Sequence, residues 1–314
     1  MAMAQVTREE RGDSVSHDRA ETAFIVGPAR SGTTLLYKAL CLHPQVAFIS
    51  NWRSRFAWLP ATAALNRVAR RAPSLERAIW FRGSDAYAYG RARRFRDRLF
   101  PSPVEGEPVY TRAGVVRPGG PAAGAIDPSV ALPAAFDSIR ALGSGTCLVS
   151  KRIANNLRIP QLHDIFPRAR FVVLVRDGRA VAESLSRVDW WETDHVWWYG
   201  GTPSQWRAEG GDPWEICARN WTEEINAIER GLQAVPSDQV MSLRYEDVVA
   251  DPQTALESLA GFIGLANDRD WRTSVGSVPI RDHNEGWKSR LDPDVVERIT
   301  TFQRPELRRF GYVD

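Results

Sequence analysis

Two short stretches of the 314-residue chain combine glycine, arginine and hydroxyl side chains at spacings suited to anion chemistry. The first is Gly27-Pro28-Ala29-Arg30-Ser31-Gly32-Thr33-Thr34. Its G-x-x-x-x-G spacing lets successive backbone N–H groups wrap a cluster of anionic oxygens, if a strand delivers the loop and a helix leaves it. A nucleotide kinase or ATPase would carry Lys after the second glycine, whereas Thr33 stands there and the charge moves to Arg30 inside the loop. Arginine is permanently ionised and presents a planar fork of donors, and Thr33 and Thr34 add hydroxyl and N–H bonds at the helix start. The plain alternative is an ordinary Gly-rich turn. The second stretch runs from Arg176 to Ser184, beginning at the end of the apolar run Phe171-Val172-Val173-Leu174-Val175. Arg176 would emerge at a strand's carboxyl end, the edge where doubly wound sheets bind ligands. Ser184 follows about two helical turns later, so whether the pair shares a ligand depends on the helix tilt. Taken alone, Arg176 reads equally well as a surface ion-pair residue.

The elements that must position these groups are legible as a strand and helix alternation. Thr22-Ala23-Phe24-Ile25-Val26 is a short run of β-formers that stops at Gly27-Pro28. Thr33 to Leu42 has largely helical apolar spacing and closes at His43-Pro44. Thr146 to Lys151 reads as a strand, Asn155 to Phe166 as a helix, and Phe171 to Arg176 as a central parallel strand. Gly178 to Arg187 is the next helix, Val240 to Tyr245 a later strand, and Pro252 to Leu265 an amphipathic helix with Pro in its first turn. The fold class expected is α/β, a P-loop-like parallel sheet with helices on both faces and helical insertions. Residues 1–21 read as a disordered tail and 22–314 as a single domain, with 54–145 and 188–239 as variable insertions. Between Arg67 and Arg98 lie ten Arg against Glu76, Asp85 and Asp97. That stretch fits either solvated helical faces or a basic surface for an acidic acceptor or membrane. Residues 101–135, with Pro118-Gly119-Gly120-Pro121 at their centre, read as an irregular excursion from the sheet.

Composition narrows the function classes. With 43% hydrophobic and 25% charged residues, the chain is neither disordered overall nor collagen-like. No run approaches the roughly 20 apolar residues of a membrane span, and the N-terminus lacks an apolar signal core, so a cytoplasmic protein without a transmembrane segment is expected. Cys41, Cys147 and Cys217 give neither a disulfide framework nor a zinc spacing and read as small buried hydrophobes. The net charge of +3 is too small for a nucleic-acid partner held through phosphates, so any anion must be gripped locally. Seven of the twelve Trp fall between 190 and 221, either as packing of a helical subdomain or as aromatic walls for an acceptor.

The segments PARSGTTLL, FVVLVRDGRAVAESL, LRYEDVVADPQTALESLAGFIGL and EGWKSRL, in that order, resemble the sulfotransferases that use 3′-phosphoadenosine 5′-phosphosulfate. The likeness covers about 22–50, 146–187 and 240–292. It implies that Arg30, Ser31, Gly32, Thr33 and Thr34 grip the 5′-phosphosulfate, and that Arg176 and Ser184 hold the 3′-phosphate. It further implies that Arg281 and Lys288 complete that site, and that Arg30 stabilises charge on the departing phosphate oxygen. The acceptor implied is a hydroxyl of a small molecule or glycoconjugate, the product 3′,5′-adenosine bisphosphate, and homodimer formation is left open. No metal is expected, because a transferring sulfuryl group carries one negative charge where a γ-phosphoryl carries about two.

The chain departs from family patterns at three places. Leu35 stands where many members place a Trp that stacks on adenine. Phe48-Ile49-Ser50-Asn51-Trp52 has no carboxylate where other members carry a Glu base after His-Pro, and Ile153 stands where a third group has a catalytic His. A base must come from elsewhere, because an attacking hydroxyl has to lose its proton. His195 is the first candidate, followed by Asp189, Glu192 and His283. Lys151, with Arg152 in reserve, is expected to stabilise the bridging oxygen. The competing functions are a P-loop nucleotide-dependent kinase and a non-catalytic nucleotide-binding relative.

Overall fold

The computed structural model describes residues 20–81, 98–116, 126–278, 280 and 282–314. Most of the polar tail, the 82–97 part of the Arg-rich stretch, Pro118-Gly119-Gly120-Pro121 and Arg281 lie outside the described residues. Five strands, β1 (Thr22–Val26), β2 (Val46–Ala47), β3 (Cys147–Lys151), β4 (Arg170–Val175) and β5 (Val240–Arg244), form a parallel sheet in the order β2-β3-β1-β4-β5. The chain leaves β1 toward β2 and β3 on one side and returns to β4 and β5 on the other. The direction of winding therefore switches at β1, and a crevice opens at the carboxyl ends of its neighbours.

Every residue of β1 and β3 is buried, which explains why neither strand alternates polar with apolar. Ala23, Ile25, Val149, Val172 and Leu174 face one helical layer with Leu36 and Leu40. Phe24, Val26, Leu148, Phe171 and Val173 face the other, with Phe136 and Trp221. The predicted helix over 155–166 is divided into a 3-10 turn, Ile153–Leu157, and a helix, Ile159–Ile165. Pro160 is the cause: it lacks the N–H that continuation would need but suits a first turn. Among the described residues, no helix is long and apolar enough to cross a membrane. All three cysteines are free and buried.

Candidate functional site

The loop between β1 and the helix Thr33–Cys41 has the backbone of an anion cradle. Arg30 and Gly32 are both left-handed, with φ of 71° and 90°, a sequence of conformations that turns consecutive N–H groups to one side. Left-handed backbone costs a non-glycine residue on the order of 1 kcal/mol, so Arg30 holds a conformation its own propensity opposes. Gly27 is required by close approach, since a Cβ there would lie 2.4 Å from the Leu174 carbonyl oxygen. Gly32 is required twice over: by its φ, and because a Cβ would meet the Tyr245 ring at 2.6 Å. Asn156 clamps the loop's start, accepting from Gly27 N at 3.1 Å and donating to Gly27 O at 3.0 Å. Ser31 is fully buried, yet among the described residues its hydroxyl has no hydrogen-bond partner. A buried hydroxyl left unpaired costs about 1–3 kcal/mol, and an anion seated in the loop would supply its missing partner.

Arg176 continues β4 directly into this loop. It is 7% exposed, and its guanidinium donates to Asn284 Oδ1 (3.1 Å), the Arg30 carbonyl (3.0 Å) and the His283 carbonyl (2.7 Å). It also lies over the Tyr245 ring, 4.5 Å from the centroid. Among the described residues these neutral oxygens use three of the five N–H groups a guanidinium carries. Burial pulls the Arg176 pKa below its ordinary value, against the opposing charges of Glu246, Asp282 and Asp177. Arg30 Nε donates to Ser184 Oγ at 3.0 Å. The helix Gly178–Ser186 is thus tilted so that Ser184, Arg30 and Arg176 form one connected group.

On the other side of β1, Lys151 ends β3 with its Cα in register with Ile25, two residues before the loop. Its ammonium is 2.5 Å from Glu105 Oε1, and Arg152 binds the second oxygen of the same carboxylate. Arg152 also donates to Glu107 at 2.9 Å, and Glu107 in turn takes both nitrogens of Arg158, a side chain with no exposed surface. Burial works against ionising Glu105, but Lys151 and Arg152 outweigh it by charge and hydrogen bonding and hold the carboxyl down to about 2. Glu105, Glu107 and Arg152 line a cleft of about 960 Å³ whose walls include Asn51, Trp58 and Arg112.

The remaining expected residues lie apart from these two groups. Lys288 is exposed, pairs with Glu285 and sits against the Trp287 ring, while Arg290, not Lys288, reaches the helix Gly178–Ser186 through Glu183 at 2.6 Å. Arg281 lies outside the described residues. His195 and Asp189 are exposed, Glu192 pairs with Arg207, and His283 contributes its backbone oxygen to Arg176. The tryptophans of 190–221 pack on one another and on their own helices. Trp198 and Trp206 meet edge to face at 6.2 Å, Trp197 donates to Glu224 and Trp198 to Asn220, and none of the seven is exposed. The cleft instead takes its aromatic wall from Trp58. Sequence reasoning missed Asn156, Glu105, Tyr245 and Asn284 as site residues. Only Tyr245 carried a signal, in its position directly after β5.

The sequence model of the sulfotransferase family matches residues 23–269. Carbohydrate sulfotransferase 1 of Homo sapiens is 25% identical over 183 residues, covering 50% of this chain and 43% of that protein. The chain therefore spans less than half the length of that curated relative. Among solved structures, sulfotransferase STF9 from Mycobacterium avium superposes with a TM-score of 0.56 at 14% identity, over 92% of this chain and 76% of that one.

Proposed function

The chain belongs to the sulfotransferase family, and from that premise we propose that it transfers a sulfuryl group from 3′-phosphoadenosine 5′-phosphosulfate to a hydroxyl of a small-molecule or glycoconjugate acceptor. The observation that carries this reading is the buried Arg176 guanidinium, hydrogen-bonded among the described residues to neutral oxygens and joined through the Arg30 carbonyl to an anion loop. Glu246, Asp282 and Asp177 act on this charge from a distance, but among the described residues none of the guanidinium's hydrogen bonds goes to a carboxylate, which leaves room for an anionic ligand on its remaining N–H groups. Two anion positions on either side of one loop match a nucleotide with phosphate at both its 3′ and 5′ ends. The donor supplies an activated sulfur–oxygen bond whose leaving group is a phosphate.

In this reading the 27–34 loop holds the 5′-phosphosulfate through its N–H groups and Ser31, while Arg176 and Ser184 hold the 3′-phosphate. Arg30, tied to Ser184, links the two ends. Lys151, across β1, faces the departing oxygen, and the cleft lined by Asn51, Trp58 and Arg112 admits the acceptor. Thr33 in place of a Walker lysine suits a group with less charge than a γ-phosphoryl. Residues 22–314 act together as one catalytic unit, with 54–145 shaping the acceptor side. Calorimetric titration tests the reading: 3′,5′-adenosine bisphosphate should bind at least 100-fold more tightly than ATP. Equal or tighter ATP binding, or Mg²⁺-dependent phosphate transfer, would replace it with a kinase.

A further inference from the structure

We infer that Glu105 is the catalytic base, taking the proton of the acceptor hydroxyl at the floor of the cleft. The inference rests on the sulfotransferase reading and deepens it. The Phe48–Trp52 stretch has no carboxylate of its own, but the chain brings one to it. An antiparallel bridge joins Ser50 to Pro103, and Val104 N donates to the Ile49 carbonyl at 3.0 Å. The 101–105 segment is thereby laid along the edge of the sheet, and Glu105 projects to Lys151. Lys151 stands one strand spacing, about 4.8 Å, from the β1 strand that feeds the phosphate loop. A carboxylate and the group expected to face the departing oxygen are therefore in direct contact beside that loop.

Access separates Glu105 from Lys151: a fifth of the Glu105 side chain is open while Lys151 is nearly closed off, at 21% and 4%. Glu107 is as open, at 26%, and differs in being more fully bonded. Glu107, which shares the cleft, is already occupied by Arg152 and Arg158. A carboxylate has about four lone-pair positions, so Glu105 can keep Lys151 and Arg152 and still accept a third hydrogen. His195 is exposed, and no hydrogen bond or ion pair among the described residues ties it to Lys151 or to the loop.

The step balances simply. The acceptor oxygen forms its bond to sulfur as the bond from sulfur to the bridging phosphate oxygen breaks. That electron pair stays on the bridging oxygen, facing Lys151 and Arg30. The hydroxyl proton passes to Glu105 and then to water in the cleft. A hydroxyl grows strongly acidic as it joins sulfur, so a weakly basic carboxylate suffices late in the step. The charged groups facing Glu105 are Lys151 and Arg152, with Glu107 beyond Arg152 and Arg55 and Arg112 on the cleft walls. Together they keep Glu105 ionised throughout neutral pH.

The test compares wild type, Glu105→Gln and Glu105→Asp in turnover of 3′-phosphoadenosine 5′-phosphosulfate, with benzyl alcohol, which does not ionise in the range studied, and with water as acceptors. The bisphosphate dissociation constant is measured alongside. Expected are a loss of at least 100-fold in kcat for Glu105→Gln, bisphosphate affinity within twofold, partial recovery in Glu105→Asp, and a wild-type kcat/KM flat from pH 5 to 8. Glu105→Gln turning over within threefold of wild type overturns the inference. So does a wild-type profile that falls on the acid side with a midpoint near the ordinary histidine value of about 6.5. The pH profile decides even if Glu105→Gln fails to fold. A wild type that neither binds the bisphosphate nor consumes the donor fails the underlying reading instead.

Discussion

On the β4 side of the phosphate loop, the buried Arg176 meets two backbone carbonyls and an amide oxygen; on the β3 side, Lys151, Arg152 and Arg158 meet two carboxylates. The cations on both sides are largely enclosed, but their hydrogen-bond partners are of opposite kinds. Neutral acceptors satisfy some of a guanidinium's hydrogen bonds without cancelling its charge, so the β4 side retains a field for an anion. Carboxylates cancel the charge, so an arriving anion gains less on the β3 side, and the carboxylates in turn are held ionised. In the proposed reading, nucleotide phosphate takes one side of the loop and the acceptor hydroxyl the other.

The largest expected effect breaks the contrast at its cation. Arg176→Ala should weaken 3′,5′-adenosine bisphosphate by roughly 10²–10³-fold, the worth of one or two charge-assisted hydrogen bonds in a desolvated site. Adenosine 5′-phosphate should lose less than fivefold in the same calorimetric titration. Equal losses for both nucleotides would mean that Arg176 supports the loop and does not read the 3′ end.

The next effect lies on the opposite side and is structural. Glu107→Gln leaves Arg158, with no exposed side-chain surface, without its carboxylate. Breaking a buried pair from one end costs about 3–5 kcal/mol, and the 26% exposure of Glu107 moderates this toward about 2–3 kcal/mol. Urea unfolding should show that loss, while the affinity of the folded protein for the bisphosphate changes less than twofold. Glu107 is held below its ordinary value against burial, through hydrogen bonding and charge from Arg158 and Arg152, so the loss should be larger at neutral pH than in acid.

How much of this contrast could be read in the sequence follows from how local each part is. The loop and Arg176 each sit at the end of an apolar run, and strand-end chemistry is written in consecutive residues, so both were visible. The tilt that brings Ser184 onto Arg30 is a packing outcome of the helix Gly178–Ser186, and spacing alone left it open. Glu105 was invisible for a different reason. It lies 46 residues from Lys151 in a Pro- and Gly-rich stretch without periodicity, and long-range hydrogen bonds between 98–104 and Ile49–Trp52 deliver it. The tryptophans show the converse: their clustering was plain, but indole groups that pack edge to face leave no sequence signature distinct from a binding wall.

Ser31→Ala sharpens the contrast on the donor side, because the free protein and the complex should respond with opposite signs. The Ser31 hydroxyl is buried without a partner among the described residues, so its removal should leave the free protein unchanged or up to about 1 kcal/mol more stable. The same change should weaken the bisphosphate about tenfold, the value of one hydrogen bond to a charged group. Thermal unfolding with and without bisphosphate measures both at once. Destabilisation of the free protein would show that Ser31 is a packing residue.

The smallest expected effect tests the carboxylate side by acid. Glu105 has a folded pKa of about 2, below its ordinary value of 4.5, so its ion pairs contribute stability that is complete above pH 4.5. That contribution is lost as pH falls toward 2, because below both values the unfolded and folded states bind the proton equally. Between pH 5 and pH 3 the wild type should therefore lose on the order of 1 kcal/mol more than Glu105→Gln, which has no proton to take up. Among the described residues Arg176 has no carboxylate within ion-pair distance and feels Glu246, Asp282 and Asp177 only at longer range, so Arg176→Ala should depart from the wild type less than Glu105→Gln does over the same range. Parallel acid curves for wild type and Glu105→Gln would show that Glu105 is not held by Lys151 and Arg152 in solution, and would remove the difference between the two sides of the loop.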